Sequence, residues 1–273
     1  MLNIFREYKM IAIGCFILSV ILLTAVFAPA LTSYGYEQVD LKNRNDAPSA
    51  AHLMGTDSFG RDVWTRVLYG ARVSLTVSLT SVAVGLAIGA FWGLLCGFFK
   101  GKIDFAVGRV MDIFMSFPAL LFSLLIGAAL GPSILNMCLS VGIPLAPIFY
   151  RVTRGAALSV GEHAYIASAK SMGSGSFRTM FRHVLPNTAP QLFVVLSSSM
   201  GGAITAESAL GYLGLGIPKP TPSWGMVINE GRQYIFDAPW VTGFGGLMVV
   251  LTILGFNLLG DGLRDYLDPK LKG

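Results

Sequence analysis

The residue types that usually carry catalysis or metal binding are few in this sequence and lie far apart. All three cysteines fall inside apolar runs, and the three histidines show no ligand-type spacing, either among themselves or with the cysteines. Neither a G-x-S-x-G nor an H-E-x-x-H motif occurs, and no pair of aspartates lies within an apolar run. We therefore predict no catalytic residue, no metal site and no disulfide framework.

Two glycine-rich stretches, residues 172–176 and 211–216, are the nearest candidates for a phosphate-binding loop. The P-loop needs the pattern G-x-x-x-x-G-K-[ST] between a strand and a helix, because its lysine and backbone amides hold the phosphates. Both stretches lack the lysine and the strand-to-helix context. The chain is therefore predicted to bind no nucleotide or other cofactor, and any energy from ATP must come from a partner.

One carboxylate stands at the end of an otherwise uncharged apolar run. Glu207 lies about 30 Å along a helix from Thr188, at 1.5 Å per residue, and a carboxylate inside a membrane marks a functional site by default. Together with Ser198, Met200 and Thr205 it predicts a face that lines a translocation path. The alternatives are a carboxylate that pairs helices at the outer interface and a strip of small residues used for helix packing.

The overall composition explains why so few charged groups are present. Of 273 residues, 53% are hydrophobic and only 13% are charged, whereas soluble domains carry about 25% charged residues. Lipid is therefore the expected solvent. The net charge of +5 is assigned to basic loops that face anionic headgroups. Because no basic run is interleaved with aromatic residues, nucleic-acid binding is not predicted.

Hydropathy predicts an all-α polytopic membrane protein of about six transmembrane helices. A span needs about 20 apolar residues, and a tight hairpin at Gly131-Pro132-Ser133 divides the longest run into two. The first run is too long for the apolar region of a signal peptide and is predicted to be a retained anchor. The uncharged runs are Met10 to Tyr36, Val73 to Phe99, Ile113 to Tyr150, Val184 to Ala206 and Ala238 to Gly260.

The loops suggest an orientation and a division of the chain. With an even number of spans and the N-terminus inside, the cytoplasmic segments hold most of the lysines and arginines, so both termini are predicted to be cytoplasmic. Residues 1–69 are assigned to an anchor helix and an extracytoplasmic loop, 70–262 to the core, and 263–273 to a cytoplasmic tail. Glycines at every fourth position from Gly85 to Gly97 predict close helix packing within the chain.

The polar loop at about residues 160–187 interrupts the apolar runs. We predict a thin helix from Val160 to Met172. One stripe of this helix, formed by Glu162, Ile166 and Ala169 or Lys170, is expected to insert into a groove on another protein. Gly173 is expected to end the helix by adopting a left-handed conformation. A second, amphipathic helix on the inner leaflet would follow and end at Pro186-Asn187. The alternative is a plain cytoplasmic connector with one interfacial helix.

Four stretches of this sequence resemble the permease subunits of ABC importers. The loop contains Ala167-Ser168-Ala169, then three residues, Gly173 and a later Leu-Pro, which is similar to the family's EAA loop, although Ala167 stands where the family usually has glutamate. Residues 52–75, 207–225 and 257–272 are similar to the C-type permease of the dipeptide/oligopeptide/nickel branch. Together the four stretches cover nearly the whole chain.

The resemblance implies a type I importer fold in the bacterial cytoplasmic membrane. This chain would form half of a pore with a second homologous permease, and two cytoplasmic ATPase subunits using ATP and magnesium would dock on the permease loops. An extracytoplasmic solute-binding protein would deliver the substrate, either a di- or oligopeptide or, alternatively, nickel or a metal chelate. The positions expected to couple to the ATPases are Glu162, Tyr165, Ile166, Ala169, Lys170 and Gly173.

Two further hypotheses concern the outer side and the energy source. The stiff, proline-rich segment Pro218 to Gly225 is predicted to present Trp224 as an outer docking or gate residue, and the alternative is an aromatic anchor at the membrane interface. An ion-coupled secondary transporter is the competing class of function. The uncharged middles of the spans argue against it, because such transporters bind ions near the bilayer midplane.

Overall fold

The computed structural model describes residues 9–267, apart from the side chains of Lys170 and Leu267. This range is built from helices and contains no strand pairing beyond one isolated bridge. The helices are α1 Lys9–Val26, α2 Val63–Phe99, α3 Gly101–Ser116, α4 Ala119–Leu130, α5 Ile134–Gly161, α6 Ala164–Ser171, α7 Ser176–Tyr212, α8 Trp224–Gly231 and α9 Pro239–Leu267. Within it, five helices are long and apolar enough to cross a membrane, or six if the bent pair α3–α4 counts as one span.

The first two spans differ in length from the sequence prediction. Helix α1 ends at Val26, well before Tyr36, and a separate short helix, Ala28–Leu31, follows with a proline in its first turn. Helix α2 begins ten residues before the predicted Val73, because the carboxylate of Asp62 accepts a hydrogen bond from the Thr65 amide at 2.8 Å and caps the helix. The predicted division at residues 69 and 70 therefore falls inside a helix.

The third span is not the straight helix that was expected to begin at Ile113. Helices α3 and α4 are bent by 93° at Phe117-Pro118, where the proline cannot continue the hydrogen-bond ladder. Of α3, only Met111 is buried. The predicted hairpin is confirmed: α4 ends at Leu130, Gly131 adopts a positive φ of 77°, and α5 begins at Ile134.

The glycines of α2 bring it into direct backbone contact with α5. A Cβ atom at Gly85 would lie 2.8 Å from Leu145 Cβ, one at Gly93 would lie 2.6 Å from the Tyr150 carbonyl oxygen, and one at Gly97 would lie 2.7 Å from Ala157 Cβ. Real Cβ atoms do not approach other atoms so closely. The prediction that these glycines serve packing within the chain is confirmed.

The remaining spans pack around this pair and leave two ends with different loops. Helix α9 packs on α1, α7 and α8, and α7 also contacts α2 and α5. At one end, called here the α6 end, Phe99 of α2 contacts Phe177 of α7, with ring centroids 5.9 Å apart. At the opposite end, the α8 end, Trp224 hydrogen-bonds to α2. The segments before α2 and after α7 meet there.

The glycine contact predicts opposite effects for two matched substitutions. Gly89 faces the α5 backbone at Ala146 and Phe149, whereas Gly155 has no atom within 4 Å of an added Cβ. Gly89→Ala should overpack the contact and cost about 1–3 kcal/mol, which lowers the thermal midpoint of the purified protein. Gly155→Ala should leave the midpoint unchanged or raise it, because alanine favours helix more than glycine does. Equal midpoints for the two variants would contradict the packing assignment.

Candidate functional site

The loop at the α6 end is a short helix that a left-handed glycine terminates. Helix α6 starts at Ala164 instead of Val160, since α5 continues to Gly161. After α6, Gly173 adopts φ +83°, and the Ser174 amide donates to the Ala169 carbonyl at 3.0 Å. This six-to-one hydrogen bond gives the Ala169 carbonyl, near the end of α6, the partner that it lacks within the helix. A glycine in the left-handed conformation makes such a bond possible. The predicted helix end at Gly173 is confirmed.

The apolar side of α6 packs on its own chain. Ile166 is 1% exposed and Ala169 is 8% exposed, and Ile166 belongs to a buried cluster with Leu94, Val160 and Met180. Both side chains therefore face the core of their own chain. Their expected contact with an ATPase groove stays a prediction. The side chain of Lys170, also predicted there, lies outside the described residues.

The opposite side of the loop is open and apolar. Met172 is 81% exposed, Phe177 is 64% exposed and Tyr165 is 44% exposed. Glu162 and Gly173 are exposed beside them, and no atom lies within 4 Å of a Cβ placed at Gly173. We call the five residues Glu162, Tyr165, Met172, Gly173 and Phe177 the loop surface. Hydropathy patterning could not identify Met172 or Phe177 as exposed residues of this surface, because an apolar stripe on a helix does not show which side the rest of the chain covers.

The second helix of the loop is continuous with the following span, contrary to the prediction. Helix α7 runs from Ser176 to Tyr212 without ending at Pro186, and residues Met180–Val184 form a π-helical turn. Proline lacks an amide and its ring clashes with the carbonyl four residues earlier. That carbonyl, of Arg182, lies in the wide π turn, where the Leu185 amide bonds five residues back to Met180. The π turn accommodates the proline.

Further along α7, the predicted path residues separate onto two faces. Ser198 and Thr205 are exposed, each about one turn from the open Gly202, while Met200 and Glu207 are buried within the chain. The exposed hydroxyls donate to carbonyls of their own helix, Ser198 to Val195 at 3.0 Å and Thr205 to Gly201 at 2.9 Å. The result is a narrow, weakly polar surface whose hydroxyl hydrogens are already bonded.

At the α8 end, Trp224 is fully buried instead of exposed. Its indole Nε1 donates to the Val67 carbonyl at 3.1 Å, and its backbone amide donates to Ser74 Oγ at 3.1 Å. The indole therefore faces the interior of this chain, and the docking role expected of Trp224 stays a prediction. The indole joins the start of α8 to α2. The assignment of Trp224 to an outer gate also stays a prediction.

A cluster of charged residues, four with buried side chains and Lys219 exposed, joins the two segments at this end. One oxygen of Glu230, Oε2, accepts from Arg61 Nη2 and from Arg66 Nη2, each at 2.7 Å. Arg61 also donates to Asp57 Oδ2 at 2.7 Å, and Lys219 Nζ lies 3.3 Å from Glu230 Oε1. We call these five residues the ion-pair cluster. Sequence patterns gave no sign of the contact with Glu230, which follows Arg61 by 169 residues.

Within the described part of the chain, no three His, Cys, Asp or Glu side chains are grouped to hold a metal ion. The described residues form a bundle of membrane-spanning helices, with an exposed apolar loop at one end and a rigid, ion-paired segment at the other. These are features of a membrane transport subunit.

Comparisons with known proteins identify the family. Residues 85–273 match the profile of the binding-protein-dependent transport system inner membrane component, and residues 1–48 match the N-terminal TM domain of oligopeptide transport permease C. The chain belongs to this family of inner-membrane permease subunits, as the resemblance predicted. It is a multi-pass membrane protein with the type I importer fold.

Several relatives cover nearly all of the chain. It is 42% identical to the dipeptide transport system permease DppC of Alkalihalophilus pseudofirmus, over 98% of this chain and 88% of that one. It is 41% identical to the glutathione transport system permease GsiD of Pectobacterium atrosepticum, over 98% and 89%. It is 40% identical to the probable D,D-dipeptide transport system permease DdpC of Escherichia coli K12, over 94% and 86%.

A solved structure shares the fold. A chain from inward-facing conformations of the MetNI methionine ABC transporter superposes with a TM-score of 0.61 at 17% identity, covering 74% of this chain and 97% of the other. The similarity concerns the helical architecture alone. It agrees with the prediction of a type I fold.

The ion-pair cluster predicts a strong dependence of stability on Glu230. Glu230→Gln should leave two buried guanidinium groups short of a partner and cost about 3–5 kcal/mol, which lowers the thermal midpoint by roughly 10 °C. The matched control is Asp112→Asn, in a pair with Arg109 that is 4.0 Å apart and mostly exposed. Exposed pairs contribute about 0–1 kcal/mol. If both substitutions shift the midpoint equally, the cluster does not hold the segments together.

Proposed function

We propose that this chain is one half of the pore of an ATP-driven importer that takes up short peptides. The other half is a second, homologous permease, and a solute-binding protein delivers the substrate from outside. The observation that carries the proposal is the match of both chain segments to this family, together with relatives that align over almost the full length. The chain itself is a non-catalytic subunit, and partner subunits hydrolyse ATP.

The orientation follows from the loops. We place both termini and the α6 end in the cytoplasm, since this puts most lysines and arginines on the inner side. The α8 end then faces outward, where a binding protein docks. The even count of six spans is consistent with termini on one side when α3 and α4 together form one span.

The loop surface is the proposed docking site for an ATPase subunit. Its exposed side chains, Tyr165, Met172 and Phe177, offer an apolar contact in a region otherwise rich in small polar residues. Exposed apolar clusters on a rigid element commonly mark protein–protein contacts. Glu162 at the rim adds a charge. Ile166 and Ala169 support the surface from behind, because they fix α6 to the core, and we assign them no direct contact.

The exposed face of α7 is the proposed wall of the path. Ser198, Gly202 and Thr205 share one side of the helix and leave it narrow. Because the hydroxyl hydrogens are bonded to the helix itself, this wall offers acceptors of low strength and no charge. Such a surface would let peptides of different sequence pass without holding them. Met200 and Glu207 are not part of this wall, since both are buried within the chain.

Peptides are the proposed substrate class because of what the relatives transport. The aligned proteins are described as permeases for dipeptides, D,D-dipeptides and glutathione. All three are short, amide-linked molecules. The chain aligns with each of them at about the same identity, so the likeness points to the class and not to one member.

Reconstitution tests this function directly. The complex of both permeases and the ATPase subunits, placed in lipid vesicles, should accumulate a labelled dipeptide only when ATP and the binding protein are supplied. Vesicles energised by a proton or sodium gradient without ATP should not accumulate it. Nickel uptake under the same conditions, without peptide uptake, would overturn the substrate assignment, and gradient-driven uptake would overturn the importer assignment.

Gly173 provides a mechanistic test of the loop. Its φ of +83° is costly for any residue with a Cβ, and a β-branched residue is the least tolerant. Gly173→Val should therefore disturb the end of α6 and reduce peptide uptake by about tenfold or more, as expected for a strain of about 1–3 kcal/mol, while the protein stays in the membrane. Gly155→Val, at an open helical position, is the control. Normal uptake by the Gly173 variant would argue against coupling through this loop.

A further inference from the structure

The carboxyl group of Glu207 is fully buried where three helices meet at the α8 end. Ser208 Oγ donates to Glu207 Oε2 at 3.2 Å, and the side chains of Ser74 and Ser223 lie close enough to interact with the carboxyl group. The other oxygen, Oε1, has no hydrogen-bond partner. The side chains that act on this carboxyl group are all hydroxyls, and none carries a positive charge.

These three serines belong to three different elements. Ser74 is on α2, Ser208 is on α7, and Ser223 is the N-cap of α8, where its hydroxyl accepts from the Met226 amide. Burying a polar group without hydrogen bonds is unfavourable. Ser208 neighbours Glu207 on α7, so its bond does not depend on the other elements. The contacts of Ser74 and Ser223 with the carboxyl group exist only while α2, α7 and the start of α8 stay together.

The backbone packing around Glu207 is equally close. A Cβ at Gly225 would lie 2.5 Å from the Ser208 carbonyl oxygen, and one at Gly211 would lie 3.1 Å from the Gly225 Cα. The first turn of α8 is therefore seated directly on the last turns of α7. Trp224 completes the junction through its bonds to α2.

We propose that Glu207 is a positioning residue for transport: it fastens the N-terminus of α8 to α2 and α7 and contacts no substrate. The ion-pair cluster holds the other end of α8 through Glu230, so the helix is fixed at both ends. This inference rests on the proposed function, in which the α8 end faces the delivered substrate. It replaces the expectation that Glu207 lines the path.

The test compares an amide with a truncation at one position. Glu207→Gln keeps the size and one acceptor oxygen, whereas Glu207→Ala removes the acceptor for the serine hydroxyl hydrogens altogether. The reporter is a single cysteine at Met226, which is 5% exposed, in a variant whose three native cysteines are replaced. Its labelling rate by a water-soluble maleimide measures how often α8 lifts from α7. Asp265, exposed near the end of α9, supplies the matched controls Asp265→Asn and Asp265→Ala.

We expect the labelling rate to rise about tenfold in Glu207→Ala, because the free energy lost with a buried hydrogen-bonded group typically corresponds to about a tenfold change in an equilibrium constant. ATP-dependent peptide uptake by the reconstituted complex should fall by a similar factor. Glu207→Gln should stay within about twofold of the parent in both measurements, as should both Asp265 variants. Unchanged labelling in Glu207→Ala overturns the proposal. The proposal is also overturned if Glu207→Gln loses as much uptake as Glu207→Ala while its labelling rate does not change. That result would indicate that the charge of Glu207 acts on the substrate.

A second variant covers the case in which Glu207→Ala does not assemble. Ser74→Ala removes the α2 hydroxyl that interacts with the carboxyl group and accepts from the Trp224 amide at the start of α8. Labelling of the Met226 cysteine should rise in this variant as well, and a rate equal to that of the parent overturns the proposal. Labelling needs no transport, so it reports on Glu207 even if the parent complex takes up no peptide. That latter result would count against the proposed function alone.

Discussion

The backbone contact between α2 and α5 is the constraint on which the rest of the bundle depends. Four glycines at every fourth position of α2 let the two long helices approach closely, so that carbonyl oxygens and Cβ atoms of α5 lie directly against the α2 backbone. Because any side chain at these positions would collide, the register of the two helices is fixed along about three turns. Helix α5 then leads directly into the loop at the α6 end, while α2 carries Arg66 and Ser74 at the other end.

Polar side chains in an apolar chain are used mainly to join segments. The ion-pair cluster links the segment before α2 to α8, Trp240 Nε1 donates to the Thr56 carbonyl at 3.1 Å, and the bidentate Arg154–Asp104 pair links α5 to α3. Each group is costly to bury alone and acceptable when paired. Such joints make the attached segments adopt one arrangement. On the proposed function, this suits the α8 end, where the delivery protein docks in a defined position.

The elements were largely predictable from the sequence, whereas the contacts between them were not. Hydropathy and glycine signals gave the six spans, the hairpin at Gly131 and the end of α6 at Gly173. They could not show that Ile166 faces inward, since an apolar residue on a thin helix fits a core and a partner equally well. Pro186 was expected to break a helix, and the π turn that accommodates it has no sequence signature. Glu230 and Trp224 find their partners more than 150 residues away, beyond the reach of local patterns.

The buried position of Ile166 changes how the unusual Ala167 is understood. The family commonly has glutamate there, and in this chain Ala167 is exposed, on the side away from the core. A charge is therefore missing from the outward face and not from the packing. On the proposed function, the contact with the ATPase subunit must then depend on apolar area and shape, which Met172, Phe177 and Tyr165 provide, with Glu162 as the nearby carboxylate. An interface of this kind gains affinity from excluding water and responds weakly to ionic strength, because it contains few charges for salt to screen.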